Sequence, residues 1–263
     1  MIRCSHLMFG ACLFVTGMHH AHADLPFLKS LAGDTELPGT YGIGIDLLRL
    51  RQDYAVQNVE IGLPGLVIPD PSVLDVNSRV DFIDIKLDAW VFPFPNVFGI
   101  IGALDGDTTV DLSAISLPQL PAPLGTVDID YDGSVFGAGF TSVYGTDRWF
   151  ASLTATYTDT SLDGDFTSTV ETISLQPRIG KRYTGGAWWV GATYLNSEEE
   201  HSGVIDLGIP NLPALPFDVE LESSEEWNLN VGAQVEHNKN IHTLLEVGFS
   251  DRIHVLANLT WRF

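Results

Sequence analysis

From Tyr41 onward, apolar and polar residues alternate with a period of two along most of the chain. The last segment shows it most clearly. Ile253, Val255, Ala257, Leu259, Trp261 and Phe263 alternate with His254, Leu256, Asn258, Thr260 and Arg262. Successive side chains of a strand point to opposite faces, so one face here is apolar and ends in aromatics while the other is mostly polar. In the preceding segment, Ile241, Thr243, Leu245, Val247 and Phe249 alternate with His242, Leu244, Glu246 and Gly248. A three-residue loop (Ser250, Asp251, Arg252) would set Phe249 opposite Ile253, Val247 opposite Val255 and Gly248 opposite His254. A two-residue loop would put the faces out of register.

The same reading along the chain predicts ten strands, near residues 41–54, 76–91, 97–112, 125–143, 148–160, 166–182, 187–199, 218–236, 241–249 and 253–263. Tight connections are expected at Phe92–Asn96, Gly145–Asp147, Tyr183–Gly186 and Glu236–Asn240, with a compact tip at Asp163-Gly164. Longer, proline-rich connections fall at 55–75, 113–124 and 200–217. If Asp105-Gly106 were a turn instead of strand, the count would move toward twelve. No run of about 18 apolar residues follows Asp24, and the best candidate, residues 90–104, is broken by Pro93 and Pro95. A soluble sandwich also alternates. A membrane barrel accounts in addition for the aromatics near the ends of the apolar faces, the terminal aromatic inside a strand, and short connections alternating with long ones. The expected class is an all-β, transmembrane antiparallel up-and-down barrel of about ten strands, within a range of eight to twelve.

The first 23 residues read as a secretory signal. Arg3 is a positive n-region, Leu7 to Val15 is apolar and uncharged, and Ala21-His22-Ala23 is a small-x-small cleavage pattern. The apolar run is too short to cross a hydrocarbon core about 30 Å thick. Phe9-Gly10-Ala11 before Cys12 lacks the Leu of a lipobox. Cleavage would remove both cysteines, leaving no disulfide, thiol nucleophile or Cys-based zinc site. Residues 24–40 are then expected as a periplasmic N-terminal segment and 41–263 as the barrel. With its alternating segments and terminal Thr260-Trp261-Arg262-Phe263, the chain resembles bacterial outer-membrane β-barrel proteins, without pointing to a subfamily. The resemblance implies residence in the outer membrane of a Gram-negative envelope and contact with its lipid. It also implies recognition of Trp261 and Phe263 by the barrel-assembly machinery.

Charge and composition narrow the function. Thirty-four acidic residues against 13 basic ones give a net charge of −21, which argues against a nucleic-acid partner. At 45% hydrophobic, the chain is too apolar for a disordered acidic polymer. Asp84, Lys86, Asp88, Arg178, Glu226, Glu246 and Arg262 fall on predicted inward positions. Ten strands enclose little more than a side-chain-filled lumen, so these charges are expected to neutralise one another as a plug. A narrow, porin-like conduit for a small polar or amphipathic solute is the alternative.

Three outer connections share one pattern: Leu63-Pro64-Gly65-Leu66, Leu117-Pro118-Gln119-Leu120 and Ile209-Pro210-Asn211-Leu212. Each is preceded by an apolar-acidic-apolar triplet (Val59-Glu60-Ile61, Val110-Asp111-Leu112, Ile205-Asp206-Leu207) and followed by acidic alternation beginning at Asp75, Asp128 and Asp218. This reads as one strand–loop–strand design used three times, with strands continuing above the membrane. Its apolar tips would either meet an extracellular ligand or protein, or pack together and close the mouth. Acidic residues gather toward the outer end, as an acidic crown or a solvated rim. Asp128-x-Asp130-x-Asp132-Gly133 imitates a calcium loop but places Gly139 where a bidentate Glu is needed. Glu246 lies diagonal to His254 in the geometry of an oriented base, but without a serine beside it or a metal-spaced cluster, neither catalysis nor a cofactor is indicated. The leading expectation is a surface binding or interaction protein acting through acidic, Pro-Leu-rich loops. A surface-facing hydrolase is the least supported reading.

Overall fold

The computed structural model describes residues 25–32, 37–62, 70–113, 125–164, 166–205 and 214–263. The expected signal segment and all three Pro-x-Leu triplets lie outside these residues. Eleven strands run through the described chain: β1 Tyr41–Ile61, β2 Asp75–Trp90, β3 Pro95–Asp111, β4 Thr126–Gly145, β5 Trp149–Gly164, β6 Phe166–Tyr183, β7 Gly186–Ile205, β8 Leu215–Ser223, β9 Trp227–Glu236, β10 Ile241–Phe249 and β11 Ile253–Arg262. All pairings are antiparallel, and the sheet closes on itself through β11 and β1. The expected outer-membrane β-barrel is therefore the observed fold.

Each expected strand is present, and the last hairpin has the expected register, with Val247 opposite Val255 and Gly248 opposite His254. Asp105 and Gly106 are ordinary ladder positions of β3, facing Asp132 and Tyr131, so no turn interrupts that strand. β1 runs on to Ile61 and β7 to Ile205, past the bounds at 54 and 199, as the flanks of the triplicated pattern imply. One feature differs from expectation. The single predicted strand 218–236 is two strands, broken at Ser224-Glu225-Glu226.

That break gives the barrel two tiers. In the lower tier, β1–β7, β9, β10 and β11 form a ring of ten. Above it the hairpin β10–β11 has ended, and β8 takes its place, pairing with β7 on one side and β1 on the other. The upper ring therefore has eight strands. β1 accommodates the change of partner through an irregularity between Val56 and Asn58.

The faces exchange character at the same level. On β2, Ile83, Ile85 and Leu87 stand exposed on the outside of the lower tier, while Asp84 and Asp88 are buried inside. Above Ile83 the outward positions are Asp81, Arg79, Asn77 and Asp75, and the inward ones include Val76, buried at 3% exposure. β1 turns over between Leu47 and Arg49, and β4 between Phe136 and Asp132. Lipid surrounds the lower tier and rewards apolar residues outside. Water surrounds the upper tier, so its apolar residues turn inward and form a core of Tyr54, Val56, Leu74, Val76, Leu112 and Leu221. Aromatic pairs edge the apolar belt, including Tyr144–Trp149 at the short-turn end and Tyr194–Trp227 toward the other. Short turns face the periplasm in such barrels, which places the upper tier outside the cell.

Candidate functional site: an apolar cup above a bridged lumen

The inward face of the lower tier is bridged by ion pairs. Lys86 Nζ lies 2.9 Å from Asp46 Oδ2, and Asn258 also donates to Asp46. Arg262 on β11 reaches past β1 to Asp88, with Nη1 to Oδ1 at 2.9 Å. Arg178 on β6 crosses to Glu246 on β10 as a fork, Nε to Oε2 at 2.8 Å and Nη2 to Oε1 at 3.1 Å. Trp189 Nε1 donates to the same carboxylate at 2.7 Å, and His254 Nε2 stands 3.6 Å from it. Glu246 is 1% exposed. Buried charges are tolerated when paired and hydrogen-bonded, and here the pairs also tie strands together, the neighbouring β1 and β2 through Lys86–Asp46, β2 and β11 through Arg262–Asp88, and β6 and β10 through Arg178–Glu246.

Of the seven charges predicted to face the lumen, six stand there: Asp84, Lys86, Asp88, Arg178, Glu246 and Arg262. Glu226 is elsewhere. It sits in the break between β8 and β9, and its carboxylate accepts from Tyr194 Oη at 3.0 Å, away from the lumen network. Asp46 and Trp189 complete the network. Asp46 was readable from its phase between Ile45 and Leu47, while the indole of Trp189 looks like lipid belt from sequence because Trp188 precedes it. Glycines on this face, such as Gly232 beneath Trp189 and Gly248 against His254, leave room that the large neighbour fills. Glu246, the partner of His254 in the oriented-base geometry, is committed to Arg178 and Trp189.

Trp261 and Phe263 are exposed on the outside, their rings 4.9 Å apart. Phe263 closes the barrel by exchanging two 3.0 Å backbone hydrogen bonds with Tyr41. Asp128, Asp130 and Asp132 alternate along the outward face of β4, beside Asp105 and Asp107 of β3.

The upper tier holds the second site. Its inward side chains surround a small cup, partly open to solvent, walled by Val76, Val110, Ile129, Phe217, Val219 and Leu221 among others. The flanks of all three repeats supply this wall: Val59 pairs with Val219, Val76 with Val110, and Val110 with Val127. The floor is polar. Tyr54 Oη donates to Glu199 Oε1 at 2.7 Å, Ser197 Oγ donates to the same oxygen at 2.9 Å, and His201 Nε2 lies 3.0 Å from Oε2. Beside them Tyr131 Oη and Ser78 Oγ are 3.0 Å apart, and Thr108 donates to Ser78 at 3.0 Å. An apolar wall closing on a few fixed polar groups is the arrangement of a small-molecule site. None of Tyr54, Glu199 or His201 stood out in the sequence, because Tyr54 closes an expected strand, and Glu199 and His201 straddle the expected end of another at 199. Once β7 continues to Ile205, their parity points them inward.

Between the two tiers lies Arg252, from the loop joining β10 and β11. It is 3% exposed, with Nη1 3.4 Å from Gln52 Oε1 and Nη2 3.2 Å from the Glu226 carbonyl oxygen.

No protein-family model matches the chain, and no curated protein does so either. Among solved structures, the outer membrane protease OmpT from Escherichia coli aligns over 88% of this chain and 99% of its own, at 10% identity and a TM-score of 0.49. The COG4313 outer membrane channel from Pseudomonas putida F1 aligns over 88% and 98%, at 10% identity and 0.42. The beta domain of the Bordetella autotransporter BrkA aligns over 85% and 100%, at 12% identity and 0.43. These proteins differ in what they do, and the present chain's chemistry is read from its own residues.

Proposed function

We propose that this outer-membrane barrel is a surface binding protein that takes a small hydrophobic molecule into the cup of its upper tier, above a lumen closed by ion pairs. The observation that carries the reading is the inverted upper tier. Eight strands enclose an apolar chamber whose polar atoms converge on one floor of Tyr54, Glu199, His201 and Tyr131. The Pro-x-Leu connections, residues 63–66, 117–120 and 209–212, join the strands that form this wall, so the surface role expected of them and the cup would serve one ligand.

The conduit reading is disfavoured by the forked Arg178–Glu246 pair and the Lys86–Asp46 and Arg262–Asp88 bridges, which occupy the lower tier. Two measurements test the proposal. Calorimetric titration of the folded protein with 1-octanol should show saturable binding. Val110→Trp or Leu221→Trp, which fill the cup, should abolish it while heat-modifiability on gels is kept. Undiminished binding in both variants would overturn the reading. In planar bilayers the wild type should be silent, and a steady conductance altered by Lys86→Ala or Arg178→Ala would make the conduit primary.

A further inference from the structure

Among the described residues, three cations on the inward face of the lower tier each have a carboxylate: Lys86 has Asp46, Arg178 has Glu246 and Arg262 has Asp88. Arg252 is more deeply buried than any of them and has no carboxylate within 4 Å among the described residues. Its two hydrogen bonds go to neutral oxygens, the side chain of Gln52 and the backbone of Glu226. A guanidinium has five donors and does not lose its charge, so such burial is costly without an anion.

Its position says where an anion would come from. Gln52 and Tyr54 are successive inward residues of β1, about 7 Å apart along the strand. Tyr54 forms part of the cup floor, so Arg252 lies just beneath that floor, where the ring of ten becomes the ring of eight. The carboxylate already in the floor, Glu199, is enclosed by Tyr54, Ser197 and His201. Arg252, beneath the floor, is therefore a buried charge without a carboxylate counter-ion among the described residues.

We infer that the cup takes an anionic amphiphile of the monocarboxylate class, with its aliphatic or aromatic body against the valine and leucine wall and its carboxylate forked on Arg252 beside Gln52. Arg suits this role because its planar fork matches a carboxylate with two parallel hydrogen bonds. The inference rests on the cup being a ligand site and adds the charge of the ligand. The chain's net charge of −21 opposes the approach of such an anion. Salt should therefore speed association, although the buried pair itself is little screened.

The test compares octanoate, at a pH where it is ionised, with 1-octanol by calorimetric titration of the folded full-length protein. Wild type should bind octanoate about 10- to 100-fold more tightly than octanol, the range expected for charged hydrogen bonds. Arg252→Met should remove that difference by weakening octanoate alone, and Arg252→Lys should retain part of it. Gln52→Glu keeps the side-chain size and gives Arg252 an internal carboxylate. It should weaken octanoate by a similar factor, leave octanol unchanged and raise the unfolding temperature, which guards against a misfolded Arg252→Met. If octanol and octanoate bind equally well, and equally in Gln52→Glu, the carboxylate assignment is overturned and the cup reading stands. If neither ligand binds the wild type, both readings fall.

Discussion

The two tiers of this barrel are made from the same strands, yet they solve opposite problems. Below, the outside of β2 is Ile83, Ile85 and Leu87 and the inside is Asp84, Lys86 and Asp88. Above, the outside is Asp81, Arg79 and Asn77 and the inside is Val76 under a cap of Leu74 and Leu112. A strand shows its neighbours two faces whose character follows the medium each one meets. When that medium changes from hydrocarbon to water part-way along, polarity must change sides without any change in backbone. The lower interior is then held by directional ion pairs and the upper interior by dispersion and apolar burial. Paired charges fix the positions of the groups they join, whereas apolar contacts are non-directional and leave the polar floor as the part of the upper interior with fixed geometry.

Breaking that contrast should be costliest in the lower interior. Glu246→Gln leaves Arg178 and its partners without their anion in a buried site, and should lower unfolding free energy in lipid vesicles by about 3–5 kcal/mol. The equivalent change on the upper exterior, Glu220→Gln, should be near zero. A charge on the lipid face comes next. Leu245→Lys should cost about 2–4 kcal/mol near the middle of the bilayer, read from urea-unfolding midpoints in the same vesicles. Gly232→Val would drive a side chain into the indole of Trp189 and disturb its bond to Glu246, at about 1–3 kcal/mol. The smallest effect sharpens the boundary between tiers. Asp130→Lys, outward on β4 above the belt, should stay within about 0.5 kcal/mol. If it proved as costly as Leu245→Lys, the membrane would extend over the upper tier and the inversion would need another cause.

Much of the barrel was legible because alternation over nine or more residues carries both strand and phase. The phase of Thr260-Trp261-Arg262-Phe263 and the three-residue loop after Phe249 follow from parity, and the inward set Asp84, Lys86 and Asp88 follows from parity once the apolar face is assigned to lipid. The triplicated flanks Val59-Glu60-Ile61, Val110-Asp111-Leu112 and Ile205-Asp206-Leu207 also announced strands continuing outward. What escaped was the meaning of that continuation. Asp128, Asp130 and Asp132 were visible as one polar face, but a face is inner or outer only relative to its surroundings. Glu226 illustrates the converse, since parity with Asn228 aims it inward and the break at 224–226 turns it to Tyr194.

Strand number in the lower ring, pairing register and the apolar belt were thus determined by sequence, because they depend on a period of two and on turn length, both local properties. The change from ten strands to eight, the gathering of Tyr54, Glu199 and His201 from β1 and β7 onto one floor, and the burial of Arg252 beneath it were decided only by tertiary structure. These depend on which strand lies beside β1 once the last hairpin has ended. That choice is made by closure of the whole sheet, since β8 pairs with both β7 and β1 only where the curvature of the sheet brings those two edges together.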